Sequence, residues 1–205
     1  MTADHPKILC LVNAAAYSRT YFEELRPYLA GRGIDMAFAL DSHLPDVVYG
    51  DGQPIPGAWY FTDFCAKHPP LSPSELERRD LRWDGLFSDF DRFLTLEMRV
   101  PLAQGGKLAY QHIPLLLERF FTQIFDEVRP VAVLYEQASN SFALAANMVA
   151  RKRGIPFFSL APGRIGGRVE ISPTGALRDH ITVGRILERV KQEGASQEAR
   201  DLADH

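Results

Sequence analysis

Residues 131–161, "VAVLYEQASNSFALAANMVARKRGIPFFSLA", decide the fold. An apolar run leads to Glu136, a helical pattern follows from Ser139 to Arg153, Gly154 stops it, and a second apolar run begins at Ile155. Val131, Val133 and Leu134 are core candidates, and the carboxylate of Glu136 is not. A strand, a helix and a second strand in succession force parallel pairing, because the crossover is too long for a hairpin. The same grammar opens the chain. "KILCLVN" (7–13) reads as a buried strand, and "YSRTYFEELRPYLAGRGI" (17–34) carries Tyr21, Phe22, Leu25 and Leu29 at helical spacing. "DMAFALDS" (35–42) closes the unit, and both helices end in Arg-Gly-Ile. Two such units predict an α/β fold of Rossmann-like type, an open, mostly parallel sheet with helices on both faces.

Residues 43–110 break the rhythm and read as a partly helical insertion packed on a single domain spanning 1–205. The segment is rich in Pro and Gly at first. From Ser72 a capping box with Glu75 and Pro73 predicts a helix, and "SDFDRFLTLEM" (88–98) predicts another. Trp59, Tyr60, Phe61 and Phe64 read as aromatic core at the edge of the sheet rather than as a platform for sugar rings. "IPLLLERFFTQIFDEV" (113–128) is an amphipathic helix, with Ile113, Leu117, Phe120, Ile124 and Val128 on one stripe and Pro130 at its end. The tail from Gly184 predicts a polar, exposed helix.

Composition removes several function classes. A chain of 205 residues buries enough surface to fold without a metal or disulfide. A net charge of −3 offers no general nucleic-acid surface. Two cysteines, Cys10 and Cys65, fit a reducing compartment. There is no apolar run of membrane-spanning length, and the start "MTADHPK" lacks the core of a signal peptide. The expected setting is the cytoplasm, with contact at the inner face of the membrane left open.

Ligands of open parallel sheets bind beyond the carboxyl ends of the strands. That rule selects Asn13, Ser18 and Arg19 after the first strand, Asp41 and Ser42 after the second, and Glu136 and Asn140 after "VAVLY". Arg164 and Arg168 follow in "APGRIGGR". These side chains suit a hydroxyl-rich or anionic small molecule. Glu136 reads either as a general base with a raised pKa or as one half of an ion pair with an arginine. Ser139 and Asn140 read equally well as caps of the following helix. Arg164 and Arg168 either clamp an anion or sit solvated in a hairpin. "PGRIGGR" and "NAAAYSRT" lack the glycine patterns of phosphate and dinucleotide loops. The six histidines form no zinc spacing, so no metal is expected; His43 and His180 flank the ligand end and read first as plain surface or core residues.

The run "FDEVRPVAVLYEQASNSFALAANMVARKRGIPFFSLAPGRIGGRVEI" resembles bacterial capsule and surface polysaccharide biosynthesis glycosyltransferases. In these a helix ends before a proline, a strand ends near an acid, and "GIP" leads a strand into an arginine-containing loop. The resemblance implies the N-terminal half of a two-domain GT-B architecture. It makes Glu136 the candidate catalytic base, with Asn13, Ser18, Arg19, Arg164 and Arg168 lining the acceptor side. A saccharide or glycolipid acceptor is the implied partner. The nucleotide-sugar donor is implied to bind a C-terminal domain outside this chain, which by itself is then expected to hold no cofactor and to be inactive. Two other readings stand beside it: a stand-alone Rossmann- or flavodoxin-like binding module without catalysis, and a relative of sugar-nucleotide epimerases.

Overall fold

The computed structural model describes residues 5–12, 18–68, 74, 108–136, 138, 140–162, 169–173, 180–197 and 200. In chain order the described elements are β1 (Lys7–Val12), α1 (Ser18–Ala30), β2 (Asp35–Leu40), α2 (Leu44–Tyr49), β3 (Trp59–Tyr60) and α3 (Phe61–Lys67). They continue with α4 (Leu108–Val128), β4 (Ala132–Tyr135), α5 (Ser141–Lys152), β5 (Phe157–Pro162), β6 (Val169–Ser172) and α6 (His180–Glu193).

The strands form one sheet in the order β3-β2-β1-β4-β5-β6. All neighbours run parallel except β5 and β6, which pair antiparallel from Ser159↔Ser172 to Pro162↔Val169. This is the Rossmann-like α/β sheet that the two strand–helix–strand units predict.

β1 lies at the centre, and Leu9, Cys10, Leu11 and Val12 are wholly buried. Alternation sends Leu9 and Leu11 to one face, where they pack with Val133, Phe61 of α3, Phe120 and Ile124 of α4, and Phe142 of α5. Cys10 and Val12 face the other side, against Phe22 of α1, Phe38 and Leu40. Helices therefore cover both faces. Burying an aromatic side chain of this kind stabilises the fold by about 1.5–3 kcal/mol. The rings of Phe120, Phe121 and Phe142 meet largely edge to face, with Phe121 and Phe142 centroids 4.9 Å apart.

Both Arg-Gly-Ile sequences are helix stops of one geometry. After α1, Ile34 N–H donates to Leu29 O and Gly33 N–H to Ala30 O. After α5, Ile155 N–H donates to Ala150 O and Gly154 N–H to Arg151 O. These bond pairs define the Schellman motif, which requires a left-handed residue, and Gly33 and Gly154 have φ of +71° and +68°.

Three expectations shift. Val131 is 52% exposed and outside the core, because the strand begins only at Ala132. α4 starts at Leu108 rather than Ile113, five residues before the apolar stripe from which its start is read. The start of the segment read as an insertion belongs to the sheet: β3 pairs with β2 through Ala39↔Trp59 and Leu40↔Tyr60. Tyr60, Phe61 and Phe64 are buried there, and Trp59 packs against the core half-buried. The helices expected from Ser72 and over 88–98 lie, but for Ser74, outside the described residues.

Candidate functional site

The chain leaves β1 toward β2 through α1, on one face, and leaves β4 toward β5 through α5, on the other. Strands β1 and β4 are neighbours, so the connections diverge between them. This is the topological switch point, where an open α/β sheet forms its ligand crevice. The pairing Cys10↔Leu134, continued by two residues, sets Glu136 level with Val12 at the end of β1. Val12 pairs with Leu40, so Asp41 emerges at the same end. β2 and β4 are two strand spacings apart, about 10 Å.

Glu136 is half-buried, and its Oε1 is fully enclosed with no hydrogen-bond partner among the described residues. Burial pushes its carboxyl group above the ordinary glutamate value. No arginine neutralises it among the described residues, so the ion-pair alternative finds no support there.

Asn140 is the N-cap of α5. Its Oδ1 accepts from Ala143 N–H at 2.9 Å, and its Nδ2 donates to the Tyr135 hydroxyl at 2.7 Å. The side chain is thus occupied by capping and by bracing the strand residue just before Glu136. That brace spans the β4–α5 turn and holds the segment carrying Glu136.

The β1 and β2 ends are organised by internal bonds. Asp41 and Ser42 are both buried, and Ser42 Oγ donates to Asp41 Oδ1 at 3.1 Å. Ser18 and Arg19 open α1 and are also buried. Arg19 donates from Nη1 to Asp46 Oδ1 at 2.5 Å and from Nε to Glu23 Oε2 at 3.0 Å. Its guanidinium lies flat against Gly50, where any side chain would collide with it. The head group of Arg19 is therefore directed inward, into a buried ion pair that joins the start of α1 to the first turn of α2.

Asp46 also binds His43, whose Nδ1 lies 3.1 Å from Oδ2. On its other side, His43 Nε2 lies 2.9 Å from Asp63 Oδ1, and the ring stacks on Tyr60 at 3.9 Å between centroids. A ring held between two carboxylates donates from both nitrogens only as the imidazolium. Burial alone would lower the His43 pKa, and the bonds to Asp63 and Asp46 outweigh it and raise it. The Tyr60 hydroxyl accepts from Ile55 N–H at 3.0 Å, and burial raises its pKa well above the ordinary tyrosine value.

Sequence reasoning named His43, and Tyr60 as aromatic core, but missed Asp46 and Asp63. The available signal was the three-residue spacing of His43 and Asp46 directly after a strand. Asn13, Arg164 and Arg168 lie outside the described residues. Among the described residues, no group of three or more His, Cys, Asp or Glu is placed to hold a metal ion. No helix among them is long and apolar enough to cross a membrane.

No protein-family model matches the chain, and no curated protein does. Solved structures give distant likenesses. The UDP-GlcNAc 2-epimerase from Neisseria meningitidis, bound to UDP-GlcNAc, is 14% identical with a TM-score of 0.43, over 74% of this chain and 31% of that one. The Streptomyces sp. SF2575 glycosyltransferase SsfS6 is 17% identical with a TM-score of 0.33, over 75% and 38%. The glycosyltransferase VinC, in complex with DTDP, is 13% identical with a TM-score of 0.37, over 74% and 33%. The chain spans about a third of the length of these proteins. Likenesses this distant carry no chemistry across, which leaves the site's own geometry to do so.

Proposed function

We propose that this chain is the acceptor-side domain of a glycosyltransferase that builds a capsular or lipopolysaccharide-type surface polysaccharide, with Glu136 as its general base. The observation that carries the proposal is the half-buried Glu136 carboxylate, whose Oε1 is enclosed without a hydrogen-bond partner among the described residues, at the switch point of a Rossmann-like sheet. The sequence pattern around "VAVLYEQ" and "GIPFFSLA" supplies the choice of reaction.

In this mechanism an acceptor hydroxyl enters the crevice beside Glu136. The carboxylate takes the hydroxyl proton as the oxygen attacks the anomeric carbon of a nucleotide sugar. The new glycosidic C–O bond forms as the bond from the anomeric carbon to the phosphate oxygen breaks, and the nucleoside diphosphate leaves. A second domain holds the donor. Raising the Glu136 pKa makes it a better proton acceptor once ionised, which is the benefit of partial burial. Asn13, Arg164 and Arg168 would line the acceptor side, as would Ser18 and Asp41 near the ends of β1 and β2.

The test is Glu136→Gln in the intact enzyme, followed by sugar transfer. Loss of a general base lowers kcat by about 10² or more. Turnover within a factor of three of the parent would end the assignment.

A further inference from the structure

The carboxyl ends of β2 and β3 are tied together through one titratable ring. β2 leads into His43, the N-cap of α2, and β3 leads directly into α3, whose first turn carries Asp63. The register Leu40↔Tyr60 sets these two helix starts side by side. His43 bridges them, with Nδ1 3.1 Å from Asp46 Oδ2 and Nε2 2.9 Å from Asp63 Oδ1. Its ring lies stacked on Tyr60, with 15° between the planes.

The bridge needs both ring protons, whichever tautomer the neutral ring takes. A neutral imidazole has one N–H and one lone pair. With the proton on Nδ1, the Nε2 lone pair faces the carboxylate of Asp63, which is half-exposed and can turn into water. With the proton on Nε2, the Nδ1 lone pair faces Asp46, which has nowhere to turn. That carboxylate is buried, and its other oxygen is held by Arg19 of α1, itself paired with Glu23. The ring must then leave Asp46. Either way the link between α2 and α3 breaks. The stack on the Tyr60 face also favours the charged ring over the neutral one.

We infer that His43 is a proton-operated latch: as the imidazolium it fastens the start of α2 to α3, and on losing a proton it lets α2 loosen while the sheet stays intact. α3 stays in place because Phe61 and Phe64 are buried in the core. α2 is held more lightly: of its described side chains Pro45 and Asp46 are buried, while Leu44 and Val47 are exposed. Burial lowers the His43 pKa, but the two carboxylates outweigh it and raise it above 6.5, so the latch opens as pH rises through that raised value. Asp41 and Ser42, which precede the latch, stand at the end of the sheet where ligands bind. The latch therefore sets how firmly one side of that end is held, independently of the reaction proposed at Glu136.

Amide hydrogen exchange between about pH 5.5 and about pH 8.5, with each rate divided into that of the unstructured chain at the same pH, reads the latch. Protection of the α2 amides should fall about threefold or more over this range, the scale of two half-exposed ion pairs. Protection of α6 amides, whose opening leaves His43 untouched, should stay level. His43→Gln has no ring to titrate, and Asp63→Asn presents an amide that can meet the ring in either protonation state. Both variants should hold α2 protection level across the range. Asp63→Asn alters a half-exposed side chain and decides the matter if His43→Gln proves unfolded. The inference is overturned if α2 protection in the parent is independent of pH, if α6 falls in parallel with it, or if the fall survives in the variants.

Discussion

Glu136 carries a negative charge that nothing described nearby compensates, and this has a consequence for stability as well as for chemistry. Its pKa is raised in the folded chain, so between the unfolded value and that raised value the folded state holds more protons than the unfolded one. Stability contributed by this group therefore falls as pH rises through that window. Glu136→Gln removes the penalty. Thermal melts should find the variant equal to or more stable than the parent at pH 7, with the gap closing toward about pH 4, the ordinary glutamate range. A clear destabilisation at pH 7 would mean that the carboxylate is paired. Under the proposed role of Glu136 as general base, the same raised pKa predicts an acid limb of the kcat/KM profile above the ordinary glutamate range.

His43 gives the same slope from a different cause, because its charged form is stabilised rather than penalised. Its folded pKa lies above 6.5, so the stability it contributes through Asp46 and Asp63 is fully present below about pH 6.5 and is lost as pH rises through the folded value. The parent should lose stability in denaturant titrations as pH rises above about 6.5, and His43→Ala should flatten that slope. Of the two partners of His43, Asp46 had a local signal in its three-residue spacing, and Asp63 had none. Asp63 lies twenty residues along the chain and meets the ring only because β3 lays α3 beside the end of β2.

At the scale of elements, the strand–helix–strand units were legible because their information is local. Alternating or continuous apolar runs, helical spacing and a left-handed glycine all lie within about thirty residues of one another. A Cβ added at Gly154 would meet no atom within 4 Å, so the need for glycine comes only from its φ of +68°. Gly154→Ala should cost about 1 kcal/mol from left-handed strain, read as a lowered denaturant midpoint with an unchanged slope. An unaltered midpoint would mean that the turn relaxes into another form. Asn140 was legible as a cap, and its second bond to Tyr135 was not, since that depends on where the strand delivers the ring. The late start expected for α4 came from counting the helix from Ile113, the first residue of its apolar stripe, whereas the helix begins at Leu108.

For the whole molecule, order should decrease outward from β1. This strand is bonded on both sides and buried on both faces. β6 is an edge strand with Val169 and Ile171 exposed, and α6 leaves Ile186, Leu187 and Val190 exposed. Native-state hydrogen exchange should therefore protect β1 amides to near the global unfolding limit, while β6 and α6 exchange by local opening. Equal protection across β1 and β6 would contradict this ranking.

By itself, the sequence determined the α/β class, the two parallel crossover units, their glycine stops and the position of Glu136 at a strand end. Each of these follows from local periodicity and backbone conformation. Only the tertiary structure decided which side chains at that end are committed elsewhere. Arg19, available as a ligand-binding cation by residue type, is turned inward by Asp46, Glu23 and the bare face of Gly50. Glu136 keeps an enclosed oxygen without a partner among the described residues. Pairing and desolvation are set by residues brought together from distant parts of the chain, and no short-range pattern encodes them.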